Sequence, residues 1–166
     1  MNKPIRMTST ALMVLTIVFC FTGMSAAQGI QKIDACTLLT KAEIQAAIGK
    51  NVGDGKLNTK ANAAVGLPCE YVVDPSGSFS ILIKTAGSGE NADKVMAELK
   101  KMKIAVSDAP GIGDRSFFSS PGYGIVQLNT FKGSRYLIIT MLVPGVNEAA
   151  QKTAAEKLMR KALTKI

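Results

Sequence analysis

The chain has 166 residues, with 20 lysines and arginines against 12 aspartates and glutamates, a net charge of +8 and no histidine. The missing histidine removes Ser-His and Cys-His nucleophile pairs and every histidine-based metal centre. The length is that of one ordinary domain.

The N-terminus carries an address. Lys3 and Arg6 precede an apolar stretch over residues 11–24, and Ser25-Ala26-Ala27 follows. This charged, apolar, small-residue order is that of a secretory signal peptide cleaved behind Ala27. The apolar part is shorter than the roughly 20 residues that span a bilayer, which argues against an anchor. Lipid attachment at Cys20 would want a small residue before it, and Phe19 stands there after Val18. The expected organisation is a cleaved segment over 1–27 and a single domain over 28–166, periplasmic or secreted. Loss of Lys3 and Arg6 leaves 18 basic against 12 acidic residues, a net charge of +6. Such a surface could meet anionic lipid heads or acidic wall polymers. No helix-turn-helix, zinc-finger or aromatic RNA-binding signature is visible, so nucleic acid is not an expected partner.

Cys36 and Cys69 are the two cysteines of the expected mature chain. In an exported protein such a pair most simply forms one structural disulfide, with free or metal-binding thiols as the alternative. Zinc wants about four ligands, and the spacing is far from the C-x-x-C of a redox dithiol.

Leu39-Thr40-Lys41-Ala42-Glu43-Ile44 opens a helix: Thr40 and Glu43 make a capping box, Leu39 and Ile44 the staple across it. Gly49 supplies a left-handed stop. Residues 51–68 show no sustained period and are expected as a long loop, either functional or mobile. Two strands follow, 69–73 and 79–85, with Phe79, Ile81 and Ile83 alternating against Ser80, Leu82 and Lys84. Asp74-Pro75-Ser76-Gly77 between them is turn chemistry, so the pair is a hairpin. Residues 90–102 form an amphipathic helix with the stripe Ala92, Val95, Met96, Leu99 and Met102. Its methionines are taken as core filling rather than metal ligands.

A short strand is expected at 104–107, then a tight structural loop at Pro110-Gly111-Ile112-Gly113-Asp114 that lacks the frame of a phosphate-binding loop. Three strands follow, 115–119, 123–131 and 136–143. The last is apolar on both faces and is placed centrally in the sheet. Asn147 caps a final helix to about residue 165 with Ala155, Leu158, Met159, Ala162 and Ile166 inward. Helices separated by paired strands predict an α+β fold: an antiparallel sheet of about five to six strands with three helices packed on it.

The run Asp34-Ala35-Cys36-Thr37-Leu38-Leu39-Thr40-Lys41-Ala42-Glu43, with Pro68-Cys69-Glu70-Tyr71 and Gly111-Ile112-Gly113-Asp114, resembles a group of small exported bacterial proteins of unknown function. Many of these are actinobacterial lipoproteins whose mature domain opens D-x-C-x-L-L-T-x-x-E. The resemblance implies a Cys36–Cys69 bridge and an antiparallel α+β domain like the PsbP-like sandwich. It transfers no catalytic residue, and the missing lipobox is a departure from the group.

Functionally, no catalytic, metal-binding or cofactor-binding residue stands out, and no cofactor is expected. The carboxylates are scattered among basic residues. A Ser–Lys pair stays open through Ser116, Ser119 and Ser120, with no local motif selecting one. The leading expectation is a non-catalytic binding or accessory domain for a small ligand or an envelope protein, bordered by the long loop at 51–68, whose competing reading is a plain surface insertion. The alternative is an electrostatic adaptor for anionic lipid or wall polymer through the basic last helix, dressed by Lys152, Lys157, Arg160, Lys161 and Lys165.

Overall fold

A computed structural model describes residues 33–62 and 65–166; the expected signal segment lies outside them. The architecture is α+β, as expected. After a short 3-10 turn at Ala35–Thr37 come α1 (Lys41–Ile48), β1 (Lys56–Leu57), β2 (Cys69–Val73), β3 (Gly77–Thr85) and α2 (Ala92–Lys101). Then follow β4 (Ala105–Asp108), β5 (Arg115–Gly122), β6 (Ile125–Lys132), β7 (Arg135–Leu142) and α3 (Glu148–Leu163). All strands join one antiparallel sheet in the order β1-β2-β3-β7-β6-β5-β4.

Seven strands form where five to six are expected. The addition is β1, which lies inside the expected loop and pairs Lys56 with Glu70 and Leu57 with Cys69. A strand this short has no periodicity to detect; its partner defines it. β7, apolar on both faces, sits in the middle of the sheet. The β2–β3 hairpin closes where expected, with β3 starting two residues early at Gly77. A Cβ there would lie 2.5 Å from the Leu142 carbonyl oxygen, so only glycine fits the crossing with β7. Tyr123, expected as the start of a strand, is instead the tip of the β5–β6 hairpin. Its φ is 56° between two glycines that are also left-handed, and its side chain is 95% exposed.

The helices start as their caps dictate. The Thr40 hydroxyl accepts from the Glu43 amide and the Glu43 carboxylate accepts from the Thr40 amide, while Gly49 ends α1 at φ 67°. Asn91 and Asn147 cap α2 and α3. Two residues expected on inner stripes face outward. Met102 is 62% exposed because α2 ends at Lys101 and Lys103 turns left-handed, with the Ile104 amide returning to the Leu99 carbonyl. Ile166 is 39% exposed because α3 stops at Leu163.

Strand alternation sorts the core into two layers. Cys69, Tyr71, Val73, Phe79, Ile81, Ile139 and Met141 face α1 and α3, meeting Leu38, Ile44, Leu158 and Met159 in the main core. On the opposite face α2 covers a smaller cluster of Phe117, Phe131 and Tyr136 through Val95, Met96 and Leu99. α2 leaves the β2–β3 end of that face uncovered by helix.

Candidate functional site

Every fixed position of the opening motif has a structural task. The Asp34 carboxylate accepts from the Cys36 amide and caps the 3-10 turn. Cys36 is bridged to Cys69 on β2. Leu38 and Leu39 are buried in the main core, and Thr40 with Glu43 closes the capping box. The Tyr71 hydroxyl donates to the Leu39 carbonyl at 2.8 Å in the interior. Burial, followed by the charges of Asp34 and Glu43, pushes the Tyr71 phenol upward, so it remains a donor. The glycine loop is a lock of the same kind. Ile112 is buried, the Asp114 amide donates to the Phe131 carbonyl, and the Asp114 carboxylate accepts from the Gly133 amide at 2.6 Å.

The disulfide-spanned segment is ordered in a specific way at its first half. Val52 bridges to Val73, the Gly53 amide donates to the Val72 carbonyl at 2.8 Å, and the Asp74 amide donates to the Asn51 carbonyl at 3.0 Å. Gly55 lies on the Tyr71 ring, where a Cβ would come within 2.6 Å of Cζ. Beyond β1, Asn58 donates its side-chain amide to Glu70 at 2.8 Å and its backbone amide to the Pro68 carbonyl. The segment is thereby pinned along the edge of the sheet.

A hollow of about 580 Å³ opens where this strip meets the β2–β3 hairpin. Gly53, Asp54 and Lys56 form one side; Glu70, Val72, Ser78 and Ser80 contribute the other. These β2 and β3 side chains alternate with the buried ones, so they project away from the main core. Asp54 is held by Lys41 of α1 at 3.2 Å. The lining combines two carboxylates, an ammonium, two hydroxyls and the exposed Val72. It can exchange hydrogen bonds with a polar ligand and cover a small apolar part of it.

The serines considered for a Ser–Lys pair are engaged elsewhere. Ser116 Oγ is buried, donates to the Ile112 carbonyl at 2.7 Å and lies beside Thr130 Oγ1. Ser120 Oγ donates to Glu148. Ser119 belongs to a polar chain across three strands that the sequence reading missed. Tyr136 donates to Asn129 at 2.7 Å, Asn129 to Ser119 at 3.0 Å, Ser119 to Gln127 at 3.1 Å, and Gln127 to Thr140 at 3.2 Å. Burial pushes the Tyr136 phenol well upward, with the Glu90 charge adding to it. The signal available in sequence was the polar pair Gln127 and Asn129 on the strand expected at 123–131, with Thr140 on the strand placed centrally.

The basic last helix is less free than its sequence suggests. Lys152 pairs with Glu148 at 2.7 Å, Lys161 and Lys165 both reach Glu43, and Arg160 donates to the Gly111 carbonyl. Among the described residues, no helix is long and apolar enough to cross a membrane. Compared with known proteins, the chain matches no family model, no curated sequence and no solved structure.

Proposed function

We propose that the chain is an exported, non-catalytic binding domain that seats a small polar ligand, or a polar segment of an envelope protein, in the hollow between residues 53–56 and the β2–β3 hairpin. The observation that carries this reading is the fixing of the strip along the β2 edge, beside the hollow. Backbone hydrogen bonds at Val52 and Gly53, the Gly55–Tyr71 contact and the Cys36–Cys69 bridge behind them hold the wall in place. A preformed wall loses little freedom when a ligand arrives, so more of the contact energy appears as affinity. A disulfide also fits an oxidising compartment, in keeping with the signal-like residues 1–27. Kinship with the exported group whose domain opens D-x-C-x-L-L-T-x-x-E belongs to the same proposal, supported by the structural task found for each motif position.

Native mass spectrometry of protein purified from its own envelope tests the reading. The expected result is a co-purifying ligand or partner that is lost from Ser80→Trp, which fills the hollow without entering the main core. Replacing residues 57–65 by a Gly-Ser linker separates wall from spacer. A partner retained with unchanged affinity by both variants would overturn the assignment of the hollow.

A further inference from the structure

A second concavity lies on the other side of the sheet, between α1 and α3. It measures about 490 Å³ and is lined by Glu43 and Ala46 of α1 and by Lys157, Leu158, Arg160, Lys161 and Thr164 at the C-terminal end of α3. Its walls are almost wholly carbon. Leu158 closes the floor, itself buried, while the long basic residues lend their methylene stems to the sides and keep their charged heads toward water, the arrangement called snorkelling.

The rim is strongly cationic. Lys157, Arg160 and Lys161 sit on the last two turns of α3, and Lys165 follows two residues beyond its end. The acidic residue lining the groove is Glu43, already shared by Lys161 at 3.5 Å, Lys165 at 3.4 Å and the Thr40 amide at 2.8 Å. One negative charge therefore faces four positive ones. Ile166, next to Lys165, adds an exposed apolar side chain.

We propose that this groove is a docking site for an anionic phospholipid surface. Charge complementarity demands an anion, and the apolar walls demand that it be amphiphilic. The choice of a lipid surface over an acidic peptide rests on the kind of cation at the rim. Directional carboxylate recognition favours the planar fork of arginine, and the rim's one arginine, Arg160, has a guanidinium nitrogen on the Gly111 carbonyl. Lys157, Lys161 and Lys165 are compact charges on flexible stems, the latter two sharing Glu43, and such charges suit a diffuse negative surface with an apolar layer beneath it. The site does not depend on the hollow at β2–β3.

The test is co-sedimentation of the exported protein with vesicles of phosphatidylglycerol and phosphatidylcholine in equal parts, against vesicles of phosphatidylcholine alone. Binding is expected only to the first and should fall steeply on going from low salt to about 0.15 M. Each charge removed at the rim should weaken it roughly fivefold, so the charge reversal Lys157→Glu should cost about 25-fold. Ala46→Asp, which puts a carboxylate into the carbon-walled groove, should weaken binding, while Lys94→Glu on α2 should leave it unchanged. Thermal melting of each variant establishes that it is folded. Equal losses from Lys94→Glu and Lys157→Glu would assign the attraction to the whole molecule's charge and overturn the site. So would unaltered binding by Ala46→Asp, or capture of poly-glutamate with no capture of vesicles.

Discussion

Gly111 and Gly113 both have left-handed backbones, at φ 75° and 59°, yet the structure separates them sharply. A Cβ on Gly111 meets nothing within 4 Å, whereas one on Gly113 would lie 2.6 Å from the Phe131 carbonyl oxygen and 2.7 Å from Thr130 Cγ2. Gly111→Ala should therefore cost only the left-handed strain, about 1 kcal/mol, and Gly113→Ala clearly more, because backbone must also move. Urea unfolding of the two variants checks the order; equal losses would refute it. Glu43 gives a pH prediction. The Thr40 amide, then the Thr40 hydroxyl and Lys165, outweigh burial and hold its carboxyl at about 2, against an ordinary 4.5. A pKa depressed by folding contributes stability that is complete above the unfolded value and is lost as pH falls from 4.5 toward 2. Glu43→Gln should show a shallower fall of melting temperature across that window than the parent. Identical profiles would contradict the assignment. The capping box was legible because it is local, four residues long and chemically distinctive. The crowding at Gly113 was not, since the atoms responsible belong to β6.

The bridge between the 3-10 turn and β2 closes a loop of 33 residues. In the chain-entropy model this is worth roughly 3–4 kcal/mol, mostly by restraining the unfolded chain. Cys36→Ser with Cys69→Ser should lower the melting temperature while leaving the far-ultraviolet circular dichroism spectrum recognisable; an unchanged melting temperature would refute the loop-closure account. α2 and α3 should differ in a second way. α3 buries Ala154, Ala155, Leu158, Met159 and Ala162 in the main core, whereas α2 buries only Ala92 fully and rests on the smaller cluster. Hydrogen exchange should therefore open α2 at a lower free energy than α3. Equal protection in both helices would show the sheet and its two layers opening as one unit. The stripes of both helices were visible from their period, but their ends were not. Met102 and Ile166 continue the pattern on paper, while chain reversal at Lys103 and the stop at Leu163 turn them to solvent.

For the whole protein the expected product of export begins at Gln28 and carries a net charge of +6 instead of +8. Intact mass of the exported form should lack residues 1–27; a mass that includes them, or lipid on Cys20, would contradict the signal-peptide reading. The sheet divides the molecule into two surfaces with different chemistry. The β2–β3 end carries mixed charges and hydroxyls around the hollow, and the α1–α3 side carries the cationic, carbon-walled groove. Salt therefore distinguishes their occupants. A ligand seated among hydrogen-bonding groups in the hollow should respond weakly to ionic strength, and an anionic surface on α3 strongly.

What could be known from the amino acids alone was whatever depends on neighbours along the chain. The Thr40–Glu43 box, the Asn147 cap, the β2–β3 alternation and the central character of β7 all rest on short-range chemistry or on a period a few residues long. They were sufficient for the α+β class and for the core-facing sides of β3, α2 and α3. Tertiary structure decided what depends on a partner distant in sequence. β1 exists because β2 offers an edge, the strip at 53–56 forms a wall because Gly55 can lie on Tyr71, and the polar chain from Tyr136 to Thr140 is satisfied only when β5, β6 and β7 come into register. The same holds for the basic helix, whose lysine spacing was plain from the start. That Lys161 and Lys165 converge on Glu43, with a carbon-walled groove beside them, follows from α1 and α3 being brought together across the whole sheet-forming stretch of chain between them.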